Sequence, residues 1–463
     1  VDIDETNLRA LEALAKLHEK QGDPAQAIEY MTQVADLTAD GKQRVEMYYR
    51  IGKALDEKLG DSAGAEERFE MALDLDPTHL PTLSALRQIA IDAADWDRAA
   101  RYLDQEQLNT LLPRQRAKLL VELGKLRKEM LGEHDLAIEA YELALQCDPD
   151  NEDAAYPLLR EYVERERWEA AEPLADMLSK KAAKRERDEQ LEIWYLTGQV
   201  AAALGKDEKA VKAFGEAHRI DVTHQPTLRG LADACFRLKD WPSALSSYQK
   251  VLTSLDEGDS EARKDVYYRL GCIKREQGQI KQAIAHFEKA LAIDFAHRSS
   301  LEALVEIHAE LGDWQQVTSY KRQILDDILD GKERFKLLVE IGEIWADKGK
   351  STEKAIEAFE EALELDPQSH VILHRLLQLY QQASNWEKLI DTLRAIAELE
   401  PNPERKSKYV YTIAQLYRDK IGDMEAAVEH FNETLDLNPL YLEAFERINK
   451  ILTQQRDWKQ LER

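Results

Sequence analysis

Cysteine, proline, glycine and positive charge are all in short supply in this chain. Three cysteines, Cys147, Cys235 and Cys272, share no short spacing. They make neither a disulfide framework nor a zinc site, and a reducing compartment is the easier fit. Only 13 prolines and 19 glycines punctuate 463 residues, while Ala, Leu, Glu, Lys and Gln dominate, a composition that favours helix. Lys and Arg number 63 against 89 Asp and Glu, a net charge of -26. Such a surface repels phosphate backbones, so DNA binding is not expected and RNA binding is disfavoured. No apolar run approaches ~18 residues, so no membrane span is expected. Gly-rich phosphate loops and nucleophile motifs are missing too, which reads as a non-enzyme without a cofactor. With no signal peptide in view, the expected location is cytoplasmic. The chain opens at Val1 without Met, inside a repeat. It is therefore expected to be a piece whose N-terminus is missing, and a removed targeting segment stays open.

What is present is periodic. Six tryptophans, Trp96, Trp168, Trp241, Trp314, Trp386 and Trp458, are spaced by 72, 73, 73, 72 and 72 residues, most in phrases such as AADW, LKDW, LGDW and ASNW. Between them a second phrase recurs, RFEMALDLDP at 68–77 and AFEEALELDP at 358–367. Its Asp or Asn falls at Asp76, Asp148, Asp221, Asp294, Asp366 and Asn438, in lockstep with the tryptophans. Proline after it is read as the helix stop, with Val222 and Phe295 replacing it in mid-chain.

A small residue early in every second helix can be followed from Ala27 through Ala65, Ala99, Ala137 and onward to Ala427 and Leu461, with steps alternating between 34 and 38 or 39. The 72–73-residue unit is thus two helix–turn–helix hairpins. The extra residues fall at joints near 41, 113, 187, 258, 331 and 403, where Gly41, Pro113, Gly258, Gly331 and Pro403 gather. The joint near Arg187 has no breaker and is read as a candidate for continuous helix.

A 34-residue helical hairpin with these marks resembles the tetratricopeptide repeat (TPR) family, over essentially the whole chain. The family's glycine matches Gly52, Gly124, Gly198, Gly271 and Gly342, with Ala414 in the last copy. Its small–aromatic–small triple matches Ala65/Phe69/Ala72 and its counterparts, with Thr434 at the third place of the last copy. The alternation of a good and a degenerate hairpin is similar to long bacterial arrays, including myxobacterial ones. The resemblance implies an all-α solenoid, a right-handed superhelix of about thirteen hairpins forming one continuous array over 1–463, with first helices on the inner face.

The resemblance also implies a partner groove. Three residues before the glycine stand Tyr49, Val121, Tyr195, Tyr268, Val339 and Tyr411, and one after it Lys53, Lys125, Gln199, Cys272, Glu343 and Gln415. Lys128, Arg275 and Arg418 follow one turn later. Tyr and Arg are enriched at the energetic centres of interfaces, so these residues read as a groove for a peptide or helix of acidic or apolar character. The duller reading has each tyrosine merely covering its helix. The tryptophans read as core at the repeat boundary, a shared ligand site being the alternative. His370 and His374 have metal-ligand spacing, but His370 is read as a repeat-mate of His79, His224 and His297, a turn position. Lys180, Lys181, Lys184, Arg185 and Arg187 form the one sizeable basic cluster, interrupted by acids and read as a solvated face. The resulting expectation is a non-catalytic protein-interaction scaffold, with self-association open. The alternatives are an arm of a larger enzyme or of a secretion or motility assembly, or a weak RNA-binding repeat.

Overall fold

The computed structural model describes residues 7–256 and 258–455, and among them the secondary structure is helical throughout, without a strand. The chain forms two compact units, Val1–Lys250 and Val251–Arg463. The first contains α1 (Leu8–Gln21), α2 (Pro24–Leu37), α3 (Gly41–Ala54), α4 (Ser62–Leu75), α5 (Leu80–Asp92), α6 (Trp96–Asn109), α7 (Pro113–Glu129), α8 (His134–Cys147), α9 (Glu152–Glu164), α10 (Trp168–Lys181), α11 (Arg187–Ala203), α12 (Asp207–Ile220), α13 (Gln225–Arg237) and most of α14 (Trp241–Ser254). The second contains α15 (Ser260–Glu276), α16 (Ile280–Ile293), α17 (Arg298–Leu311), α18 (Trp314–Asp327), α19 (Gly331–Glu343), α20 (Thr352–Leu365), α21 (His370–Gln382), α22 (Trp386–Leu399), α23 (Pro403–Leu416), α24 (Met424–Leu437) and α25 (Leu442–Gln455). In each unit successive helices pack as hairpins and each hairpin stacks on the next, because a lone hairpin cannot bury its apolar face. The last expected helix, carrying Trp458 and Leu461, lies outside the described residues.

The tryptophan phrase turns out to be a turn and a cap. The residue two before each of the five described tryptophans of the phrase is left-handed: Ala94 (φ 54°), Glu166 (53°), Lys239 (59°), Gly312 (75°) and Ser384 (57°). The next residue is the N-cap. Asp95, Asp240, Asp313 and Asn385 each accept the N–H three residues on, satisfying an orphan donor of the second helix. Only glycine takes the left-handed conformation without steric cost. Lys239→Gly and Ser384→Gly are therefore each expected to stabilise by about 0.5–1 kcal/mol, read as a rise in the urea midpoint at unchanged slope.

The other stop is set by the aspartate rather than by the proline. Asp76, Asp221, Asp294, Asp366 and Asn438 accept the N–H two residues on, at 2.8–3.3 Å. The Thr78 and Thr223 hydroxyls donate to Asp76 and Asp221 as well, holding both carboxyls below their ordinary range. Val222 and Phe295 can stand in for proline because they point into solvent, Phe295 at 81% exposure.

The glycine is a packing position. A methyl group on Gly52, Gly124, Gly198, Gly271 or Gly342 would lie 2.5–2.8 Å from the ring of Phe69, Tyr141, Phe214, Phe287 or Phe359. Each ring is buried between alanines of its own helix. Glycine to alanine is 12 residues in two hairpins (Gly198–Ala210, Gly271–Ala283). It is 13 in the four containing Gly52–Ala65, Gly124–Ala137, Gly342–Ala355 and Ala414–Ala427. Three of these four absorb the extra residue in π-helical turns, Leu55–Leu59, Ile344–Lys348 and Tyr417–Ile421, as single-residue insertions into helices do. In all four the closing bond reaches back six residues, as from the Glu133 N–H to the Arg127 carbonyl at 2.8 Å and from Asp61 to Leu55 at 3.0 Å.

Two expectations are corrected. The joint near Arg187 is not continuous helix. A 3-10 turn at Ala182–Lys184 leads to an extended Arg185, which is pinned by Glu152 and Glu189 at 3.4 and 3.0 Å. The five described tryptophans of the repeat phrase are half-buried rather than core; Trp345, which lies outside that phrase, is 9% exposed. Each of the five is the first residue of a second helix, where burial stays partial. Lys348 and Lys420 cover Trp314 and Trp386, 4.4 and 4.9 Å from the ring centres.

Candidate functional site

The groove tyrosines stand in aromatic columns built by the repeat. Tyr49 lies 5.9 Å from Phe69 and 5.6 Å, edge-on, from His79. Tyr195 repeats this with Phe214 and His224 (6.1 and 5.3 Å), and Tyr268 with Phe287 and His297 (5.8 and 5.5 Å). Tyr411 packs on Phe431 and stacks on Tyr441 at 4.8 Å. The histidines are N-caps of the next first helix, and each Nδ1 meets a hydroxyl three residues on: Thr82, Thr227 or Ser300, at 2.7–2.8 Å. Where valine replaces the tyrosine, at Val121 and Val339, that cap is Asn151 or Ser369 instead. Ring and cap thus change together, and the tyrosine ring is committed to packing on one side. Burial pushes the Tyr195 and Tyr268 hydroxyls up from their ordinary range.

This register corrects the reading of His370. The repeat-mate of His79, His224 and His297 is Ser369, the cap, whereas His370 is the first residue of α21. Among the described residues no group of three or more His, Cys, Asp or Glu is placed to hold a metal.

The groove cations divide into two kinds. Lys53 and Lys125 are exposed, with Lys53 3.6 Å from Glu57 on its own helix. Lys128, Arg275 and Arg418 are engaged. Lys128 is 2.6 Å from Glu161, a carboxylate with 4% of its side chain exposed. Arg275 holds Glu306 and Glu310 at 2.6 and 2.9 Å, and Arg418 holds Asp419 at 2.6 Å. In the basic cluster, Lys181 and Arg185 pair with Glu152 at 3.2 and 3.4 Å, and Arg187 donates to the Ile220 carbonyl at 2.6 Å.

A cross-helix ion-pair ladder was not foreseen. One first helix reaches the next through Arg50–Glu19 (3.4 Å), Arg87–Glu122, Lys128–Glu161, Arg160–Glu192, Arg298–Glu333 (3.5 Å) and Arg375–Glu343 (2.5 Å). Its signal in the sequence is opposite charge 31–35 residues apart, one repeat length, which is lost in a chain with one charge in every three residues.

In the second unit two shallow cavities flank α17. One, of about 230 Å³, is lined by Tyr268, Cys272, Arg275 and Phe287 and by Glu302 and Glu306 of α17. The other, of about 350 Å³, is floored by Ile324, Ile328 and Leu337 and shares Glu302 and Glu306 at its rim. Burial raises the Cys272 thiol, leaving it a poor nucleophile.

Models of the tetratricopeptide repeat match residues 12–79, 225–294, 340–369 and 407–439. The chain is a tetratricopeptide-repeat protein. This TPR chain is 24% identical over 309 residues to Superkiller protein 3 of Schizosaccharomyces pombe, covering 65% of this chain and 21% of that one. It is 24% identical over 340 residues to the CTR9 homolog of Arabidopsis thaliana (70% and 29%). With the TPR repeat-containing protein YpiA of Bacillus subtilis it shares 22% over 262 residues (54% and 58%). It thus spans less than a third of the first two relatives and 58% of the third. Among solved structures it is similar to YrrB, a TPR protein with an unusual peptide-binding site (20% identity, 40% and 91% covered, TM-score 0.35). A second is the Naa15/Naa10 complex bound to HypK-THB (13%, 97% and 76%, TM-score 0.36). Among the described residues of the TPR chain, no helix is long and apolar enough to cross a membrane.

Proposed function

We propose that this TPR chain is a non-catalytic interaction scaffold, one continuous array whose first helices hold peptide or helical segments of partner proteins. The observation that carries this reading is the first-helix face itself. Between neighbouring first helices lie shallow cavities with apolar floors and charged rims, as on both sides of α17. Apolar floors give affinity and rim charges give register and partner choice. Of the residues in the groove series, Lys53, Lys125 and the outer edges of Tyr49, Tyr195 and Tyr268 are the proposed contact points, while Tyr411 is buried, with 7% exposed. Lys128, Arg275 and Arg418 shape the wall through their ion pairs.

The test is an affinity capture with the chain and with a Lys53→Glu/Lys125→Glu variant, run side by side. Both lysines are exposed, so helicity by circular dichroism is expected to stay unchanged. Capture of a groove partner is expected to fall several-fold. Equal capture by both proteins would remove these lysines from the contact.

A further inference from the structure

The first hairpin carries Pro24 where the five other described hairpins of its alternate type carry tryptophan. In the second unit the fate of that position is plain. Trp314 opens α18, and Lys348, six residues after Gly342, lies over its ring at 4.4 Å. Beside it Lys321 of α18 pairs with Glu340 of α19 at 2.7 Å. Trp386 repeats the arrangement under Lys420, six residues after Ala414. The first hairpin has the same frame with the filling removed. Pro24 replaces the indole, Met31 and Arg50 stand at the places of Lys321 and Glu340, and Lys58, six residues after Gly52, stands at the place of Lys348. A cavity of about 570 Å³ opens there, lined by Pro24, Ala27, Met31, Ala54 and Lys58 among others.

We propose that this cavity receives the tryptophan side chain of a partner segment, the ring lying under the Lys58 ammonium. Two copies of the unit show what fits. The floor is apolar, with Ala27 and Met31 buried, and the ammonium is positioned by a π-helical turn after α3, as it is after α19 and α23 in the two filled copies. A cation above an aromatic face is attracted by the ring quadrupole. At the rim Arg50 pairs with Glu19 at 3.4 Å and Lys53 with Glu57 at 3.6 Å. Lys58 has no ion pair among the described residues, which leaves one positive charge over and favours acidic neighbours to the inserted ring. This site rests on the scaffold reading only in that its occupant is carried by a protein.

The test uses the full chain labelled at the methionine methyls and titrated with N-acetyl-tryptophanamide, with N-acetyl-leucinamide as control. The Met31 methyl is expected to shift saturably from the ring current, while Met177 and Met424 stay in place. Lys58→Ala is expected to weaken binding roughly two- to five-fold. Pro24→Trp fills the cavity as the other hairpins do, and is expected to abolish the shift and raise the melting temperature. A Met31 signal unmoved at millimolar amide, an equal shift with the leucine control, or undiminished binding in Lys58→Ala would each overturn the proposal. These readouts need no partner. Failure here therefore leaves the groove reading standing. Lys53 also lines this cavity, so the arm that separates the two readings is Lys125→Glu alone, and loss of partner capture by that variant leaves this site standing.

Discussion

Phe214→Ala is expected to cost about 3–5 kcal/mol, more than a substitution at any of the five described tryptophans of the repeat phrase. Phe214 is 2% exposed and clasped from two sides. Methyl groups on Gly198 of α11 and Gly230 of α13 would each come within 2.5 Å of its ring. Three consecutive helices therefore converge on one side chain. Removing it leaves a cavity that cannot collapse without moving two backbones, and cavity volume sets the penalty. Trp314→Ala removes a larger ring that is only half-buried and covered on one side by Lys348, so about 1–2 kcal/mol is expected. Urea unfolding of both variants checks the order. A tryptophan penalty equal to or above that of Phe214 would mean that the indoles, not the glycine–aromatic contacts, hold the stack together.

Lys128→Ala is the second large effect, about 2–3 kcal/mol. Glu161 is a carboxylate with 4% of its side chain exposed, and Lys128 at 2.6 Å is its nearest cation; His134 and Arg165 stand back at 3.7 and 3.9 Å. Removing the close cation strands a buried negative charge, which costs far more than the pair itself contributes. The double variant Lys128→Met/Glu161→Leu takes away both charges and is expected to recover most of the loss, since an apolar pair of similar volume is often as stable as a buried ion pair. A double variant as unstable as the single one would show that Glu161 serves some other neighbour. The same reasoning separates Lys128 from Lys125 as a probe of binding: only Lys125 can be reversed without disturbing the fold.

Where the sequence was legible, position alone carried the meaning. The glycine of the first helix and the aromatic of the second predict a close approach, and each described pair makes it. The Asp before the tryptophan marked only the repeat phrase, and the side chains of Asp95 and Asp313 show it to be an N-cap as well. Tryptophan itself misled. Its size argued for the core, but at the first residue of a second helix burial stays partial. The π-helical turns were hidden as well. The interval from glycine to alanine is 12 or 13 residues, and nothing in a count of residues says whether the extra one widens a helix or a loop. The groove cations were readable as residues but not as free charges. Lys128, Arg275 and Arg418 meet carboxylates that another helix or the next residue supplies. The tyrosines were placed correctly on the first helices, yet their packing on capping histidines shows only once the hairpins are stacked.

The proposal that partners lie along the first helices is tested most directly by site-specific photocrosslinking. A photoreactive phenylalanine analogue would be placed at Lys53 or Lys125 on first helices, and at Glu208 on a second helix; all three positions are exposed. Crosslinks to one partner from the first-helix positions, with none from Glu208, are the expected result. Crosslinking from Glu208 alone, or equally from all three, would contradict the account and move recognition off the first-helix face.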